Sequence, residues 1–225
     1  MKPLVGSYSL LNTFGICPLQ AQHKYVLRDL PKETSPALER GNYVHKAMEK
    51  RCGFGDPLPD DLKEYEPFAA KLGDGAGGNC TELELAVTRD WQPTNFWAPN
   101  AWFRGKIDLL SFRNDVALIV DWKTGKVRED PFELVVFATL LDKQTIYHAE
   151  SRKAIRGMYI WLNDMKPGQV HNLLPYVKGC QRIIERVMER IETLKRCEAE
   201  PWPATPNGLC AFCPVKDCKH NRKPK

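Results

Sequence analysis

Along the first seventy residues apolar positions recur every three or four places, and from Thr81 the period becomes two. This change predicts helices first and strands afterwards. Ser9 to Leu27 reads as a first helix, with Ser7 or Ser9 as N-cap. A second helix is expected from Pro36 to Arg51, since proline suits a first turn. CGFGDPLPDD is a turn-rich connection. A short helix is expected over Leu62 to Leu72, before the glycine-rich loop GDGAGGN. TELELAVT alternates and predicts a half-buried strand. WQPTNFWAPN reads as an aromatic loop broken by proline. AWFRGKIDLLSF and VALIVDWK predict two strands joined at RND as a hairpin. FELVVFATLL is apolar throughout, and its length and its position after a turn favour a helix. IRGMYIWL predicts another strand. A long helix follows from Tyr176 to Glu198, with Cys180, Ile183, Ile184, Val187, Met188, Ile191 and Leu194 as one apolar stripe. The tail after Pro201 is short, irregular and rich in cysteine. Helices, a meander of strands, a helix and a further strand predict an α/β fold with a mixed central sheet.

Composition narrows the function classes. A chain of 225 residues supports one sizeable core. We expect a single domain over 1–225, divided into an N-terminal helix at 7–35, a core at 36–175 and a C-terminal helix with tail at 176–225. The net charge of +5 permits a polyanionic partner without demanding one. The last residues, KHNRKPK, are locally basic. No apolar run approaches membrane-spanning length, and MKPLVGSYSLLNTFG has no long apolar stretch of the signal-peptide kind. The expectation is a cytoplasmic protein with no membrane partner. Eight cysteines in a reducing compartment then point to metal binding or burial rather than disulfides. KTGK lacks the upstream glycine and closing Ser/Thr of a phosphate-binding loop.

The chemistry concentrates in the predicted hairpin. Alternation in VALIVDWK puts Asp121 and Lys123 on one face. A tight turn at Asn114-Asp115 pairs Arg113 with Val116 and sets Asp108 opposite Asp121. Cross-strand Cβ atoms lie roughly 5 Å apart, and like charges there repel. Two such carboxylates inside apolar flanks need a cation or a shared proton between them. Oxygen ligands at that separation suit Mg²⁺ or Mn²⁺. The alternative is a surface hairpin with solvated aspartates and a weak lysine ion pair.

With these residues in hand, the sequence resembles the PD-(D/E)XK nucleases. It is most similar to the RecB-type branch, which includes AddB nucleases and CRISPR-associated iron–sulfur exonucleases. GKIDLL resembles the motif of the first aspartate, Asp108. VDWKTGK resembles the (D/E)XK motif, with Asp121 and Lys123. RGNYVHKAME resembles the branch's G-x-x-x-H helix, with Gly41 and His45. SYSLLNTFGICPLQ resembles the segment near the start of the nuclease domain, and CAFCPVKDC the C-terminal cysteine cluster. The matches run in family order from about residue 7 to 218.

The resemblance implies a restriction-endonuclease-like core and a metal-dependent DNA exonuclease acting in recombination, repair or replication on linear ends, including single-stranded ones. A protein partner or a homo-oligomer is compatible with it. His45, Asp108 and Asp121 would hold Mg²⁺ or Mn²⁺, with the Ile119 or Trp122 carbonyl as an extra ligand and Glu49 or Glu84 as weaker candidates. Lys123 would orient the attacking water or offset charge in the transition state. Arg104, Lys106, Lys126 and Arg128 flank the proposed site and could meet phosphates, although any solvated face would offer similar charges. On the helix after the (D/E)XK strand the branch carries Q-x-x-x-Y to position DNA. Here Glu133 and Phe137 stand in those places and cannot repeat the amide and phenol hydrogen bonds. Cys17, Cys210, Cys213 and Cys218 would hold a [4Fe–4S] cluster, although the last gap is one residue shorter than usual. A zinc site of Cys210, Cys213, Cys218 and His220 is the alternative, and unliganded thiols are the third reading. The rival functions are a catalytically degraded subunit and a zinc-stabilised DNA-binding protein. The aromatic loop with Trp91, Phe96, Trp97, Trp102 and Phe103 either packs on the sheet or stacks unpaired bases.

Overall fold

Proline sets the first break in the chain. The computed structural model describes residues 4–31, 34–73, 78–113, 115–145, 153–197 and 201–221. Contacts divide it into two units, residues 1–33 with 182–225 and residues 34–181. In the first unit, α1 (Tyr8–Ile16) is capped by Ser7, whose hydroxyl accepts from Leu10 N–H at 3.3 Å. The expected helix over Ser9 to Leu27 is not continuous. α1 ends at Cys17, which is extended (φ −161°, ψ 113°), and α2 (Pro18–Ala21) leads into a π-helical stretch, Gln22–Leu27. The residue before a proline is pushed out of the helical region, while proline itself suits a first turn. The tail residues pack back here. Phe14 meets Trp202 edge-on at 5.9 Å, and Trp202 N–H donates to Gln22 Oε1 at 2.9 Å.

In the second unit α3 (Pro36–Phe54) is capped by Ser35 and stopped by Gly55 at φ 78°, one turn beyond the expected end. The expected helix over Leu62 to Leu72 is instead a 3₁₀ stretch, Asp60–Tyr65, followed by α4 (Glu66–Gly73). Pro67 has no N–H to continue the first piece, so the helix restarts there. The strands are β1 (Asn79–Val87), β2 (Pro93–Thr94), β3 (Phe103–Arg113) and β4 (Val116–Lys123). After them come α5 (Phe132–Asp142), β5 (Ala154–Trp161), β6 (Lys166–Pro167) and β7 (His171–Asn172). α6 (Val177–Arg196) closes the order. The loop GDGAGGN falls mostly outside the described residues. No described helix is long and apolar enough to cross a membrane.

The sheet order is β2-β1-β3-β4-β5-β6, with β7 also on β5. Among the described strands only β4 and β5 run parallel, and α5 lies in the connection between them. This is the mixed sheet flanked by helices that the sequence predicts. The hairpin register holds as well, with Arg113 paired to Val116 and Leu109 to Val120. On one face Val44 and Met48 of α3, with Leu62, Tyr65 and Ala69, bury Leu109, Val120, Trp122 and Ile160. On the other face α5 lies so close that a Cβ on Gly105 would be 2.9 Å from Leu140 Cδ1. In α6, Ile184, Met188 and Ile191 are buried, but Ile183 is 46% exposed, so the apolar stripe is narrower than expected.

One detail of β3 positions the site. Gly105 and Leu109 are four apart and should share a face, yet Gly105 faces α5 and Leu109 packs with α3. The strand therefore reverses its faces between them. The irregular point is Asp108 and its neighbour Glu82, which has φ 51°. The β1–β3 ladder steps from Thr81–Leu109 to Leu83–Ile107 and skips Glu82 and Asp108. Such a left-handed residue inside a strand costs about 1–3 kcal/mol, and it stands where the ladder is interrupted beside Asp108.

Gly105→Ala is expected to destabilise the second unit by about 1–3 kcal/mol, because Phe137 and Leu140 are both core side chains with nowhere to go. The urea midpoint measures this, and an unchanged midpoint would contradict the close approach of α5.

Candidate active site

The interrupted ladder leaves Asp108 free of strand pairing, and its side chain is put to other use. Its Oδ2 accepts the Trp122 N–H at 2.9 Å and lies 3.3 Å from His45 Nδ1. Asp108 thus binds β4 by its carboxylate instead of facing Asp121 across a regular ladder, as the register alone suggested. His45 stands one turn after Gly41 on α3. A Cβ at Gly41 would be 3.2 Å from Thr124 Oγ1, so a small residue there lets α3 pass close to the end of β4. Donor atoms of His45, Glu82 and Asp108 lie within 4.8 Å of one another. No other described group of three His, Cys, Asp or Glu donors is that close. Burial works against the charged form of His45, but the hydrogen bond and charge of Asp108 outweigh it and raise the pKa.

The group opens on a cleft of about 650 Å³ whose wall also carries Glu49, Glu84, Lys106 and Thr124. Glu49 and Glu84 therefore border the site, while Glu82 enters it. Sequence reading missed Glu82 because TELELAV shows two glutamates at the same alternation, and only the backbone turn at φ 51° distinguishes them.

Asp121 and Lys123 form the adjoining half. Asp121 is 4% exposed, and its Oδ2 lies 2.7 Å from Lys123 Nζ. Burial first, then the Asp108 charge, raise the Asp121 pKa against the pull of Lys123. Burial opposes the Lys123 ammonium too, but Asp121 and Glu133 overcome it and raise that pKa. Both partners move upward because Asp121 is deeper and meets further carboxylates, whereas Lys123 is held between two. Glu133 Oε2 lies 2.8 Å from Lys123 Nζ, and the Tyr159 ring centroid is 5.4 Å away. The place of the expected DNA-positioning glutamine is thus taken by a carboxylate bonded to the lysine.

Other expected residues are spread more widely. Lys126 is exposed on the loop after β4. Arg104 Nη1 donates to the Phe96 carbonyl at 3.0 Å, and its guanidinium lies 4.5 Å from the Phe96 and Trp97 ring centroids. In the first unit Cys17, Cys210, Cys213, Cys218 and His220 line one small cavity. Thr205 N–H points at Cys17 Sγ (3.4 Å) and Asn207 N–H at Cys210 Sγ (3.3 Å). Burial raises the Cys213 thiol pKa, and the other three thiols add to it.

The sequence profile of the PD-(D/E)XK nuclease superfamily matches residues 6–76 and 66–218. The chain belongs to this superfamily. Among solved structures it is similar to one from Eubacterium rectale bearing the name "Putative exonuclease". The two share 17% identity, with 99% of this chain and 90% of that one covered and a TM-score of 0.56. At that identity the likeness speaks for the fold. No curated protein matches the chain.

PD-(D/E)XK nucleases use divalent metals, and the donor set here fits one. An imidazole and two carboxylates converge on an open cleft, a donor set that can hold a divalent cation.

Proposed function

We propose that the chain is a divalent-metal-dependent deoxyribonuclease of the RecB-like branch, working as an exonuclease on DNA ends. The observation that carries the reading is Asp108, fixed by Trp122 N–H within reach of His45 and Glu82, beside the Asp121–Lys123 pair. His45, Glu82 and Asp108 would hold the ion, with Asp121 on the adjoining strand. A divalent ion there would supply an activated water and polarise the scissile phosphate. Lys123 is held against both Asp121 and Glu133. It would keep a donor for the attacking water or the phosphate oxygen, having three N–H groups and two carboxylate partners. The order of motifs, and the name of the Eubacterium rectale protein, support the exonuclease class.

The test is linear and closed circular DNA, single- and double-stranded, incubated with Mg²⁺ or Mn²⁺. Loss of linear DNA alone supports the reading. DNA bound but uncut in every form would instead support a degraded subunit. Glu133→Gln keeps the shape and one acceptor but loses the charge that holds Lys123. We expect turnover to fall about tenfold, the lower end for residues that orient a catalytic group, while oligonucleotide affinity is kept. Wild-type turnover would remove Glu133 from this role.

We further propose a [4Fe–4S] cluster on Cys17, Cys210, Cys213 and Cys218. Four thiols around one cavity, two of them receiving backbone N–H groups, support it. Cys17 lines the same cavity as the three tail cysteines, an arrangement that the cluster requires and the local zinc site with His220 does not.

A further inference from the structure

The acidic site carries its own counter-ions. His45 faces Asp108, Lys123 faces Asp121 and Glu133, and Lys106 Nζ is in contact with a Glu82 carboxylate oxygen. His45 and Lys123 have roles in the proposed chemistry. Lys106, named from sequence only as one of four basic residues that could meet phosphates, sits on the wall of the same cleft and is tied to one of the metal donors. Glu82 cannot serve Lys106 and a metal ion equally. A carboxylate oxygen shared with a divalent cation draws that cation close to the ammonium, and like charges at such range repel.

Resting on the nuclease reading, we propose that Lys106 is a substrate-contacting residue, held by Glu82 in the metal-free site. Glu82 turns its carboxylate to the ion, lets go of Lys106, and the ammonium takes a phosphate of the bound strand. Three observations converge on it. Glu82 pays backbone strain at φ 51° to sit between the metal donors and Lys106. Lys106 is two residues before Asp108 on β3, about 6.8 Å along the strand, close to the separation of neighbouring phosphates. Lys106 could therefore engage the phosphate next to the one being cut. Lys106 is also partly open to solvent, with its side chain 47% exposed, so the stem can swing without repacking the core. Besides Glu82, Lys106 feels Asp108 and its cross-strand neighbour Glu84, which is exposed and leaves the ammonium accessible. Metal binding and strand binding thereby become coupled, since the phosphate-binding charge is withheld until the ion is in place.

Anisotropy of a fluorescent, phosphorothioate-linked single-stranded oligonucleotide tests this, read against salt concentration in EDTA and in Ca²⁺. One phosphate contact on a single strand contributes about 0.7 to the slope of log K against log salt. In Ca²⁺, Lys106→Met is expected to bind with a slope shallower than wild type by about 0.7. In EDTA the same substitution should leave the slope unchanged, because Lys106 is held by Glu82 there and makes no phosphate contact. Glu82→Gln should do the reverse and steepen the slope in EDTA by about 0.7. The double variant Glu82→Gln with Lys106→Met should return to the wild-type EDTA value. An unchanged EDTA slope in Glu82→Gln, or a double variant that keeps the gain, would overturn the proposal. Cleavage of linear DNA by wild type in Mn²⁺, run in parallel, separates the two claims. Cleavage without the slope pattern refutes the exchange alone, and the slope pattern without cleavage refutes the nuclease reading alone.

Discussion

Asp108→Asn is expected to lose metal-dependent DNA cleavage by more than about 10²-fold while the fold survives. The asparagine carbonyl still accepts the Trp122 N–H that ties β3 to β4. What disappears is the charge facing His45 and the donor set with Glu82. Residues that only orient a metal ligand cost about 10–100-fold when removed, so losing a ligand's charge should cost more. A second readout avoids reliance on activity. Mn²⁺ at about 100 times its Kd should stabilise wild type by about 2.7 kcal/mol through mass action, and Asp108→Asn should show little of that gain. Asp121→Ala should lose cleavage equally. Wild-type cleavage by Asp108→Asn, with the Mn²⁺ stabilisation intact, would remove the site from the chemistry.

Cys213→Ser is expected to yield a colourless protein, less stable by about 2–5 kcal/mol, the range for losing a covalent cross-link in a small domain. The cluster would join Cys17, at the break between α1 and α2, to the tail around Cys210 and Cys218. That closes a loop of nearly the whole chain, and closure of long loops restricts the unfolded state most. Iron content, absorbance and the melting temperature check this. His220→Ala separates the two metal readings, because it should leave iron and stability unchanged but would empty a Cys₃His zinc site. Mn²⁺ binding should persist in Cys213→Ser, since His45, Glu82 and Asp108 all belong to residues 34–181. A brown Cys213→Ser protein of normal stability would refute the cluster.

Much of this was legible in one dimension. Hydrophobic period gave β4 and α5 to within a residue, because an apolar strand and a wholly apolar helix each bury against a fixed partner layer. The hairpin register followed from a tight turn; alternation and that register singled out Asp108, Asp121 and Lys123, and the ordered motifs added His45 to the candidates. The first helix was misread because the pattern of apolar residues ran on through Pro18, while the backbone could not. The ladder opposite Asp121 was misread because alternation presumes that a strand keeps its faces.

The sequence by itself determined the layer order of the fold and the superfamily, and it named four residues of the candidate site. Local propensity and side-chain period suffice wherever a residue's role depends on its own strand or helix. Only the tertiary structure decided that Asp108 bonds to Trp122 N–H, that Glu82 rather than Glu84 joins His45, and that Glu133 holds Lys123. Each of these depends on where two elements distant in the chain meet. The choice between Glu82 and Glu84 turns on a single backbone angle, which neither composition nor period encodes.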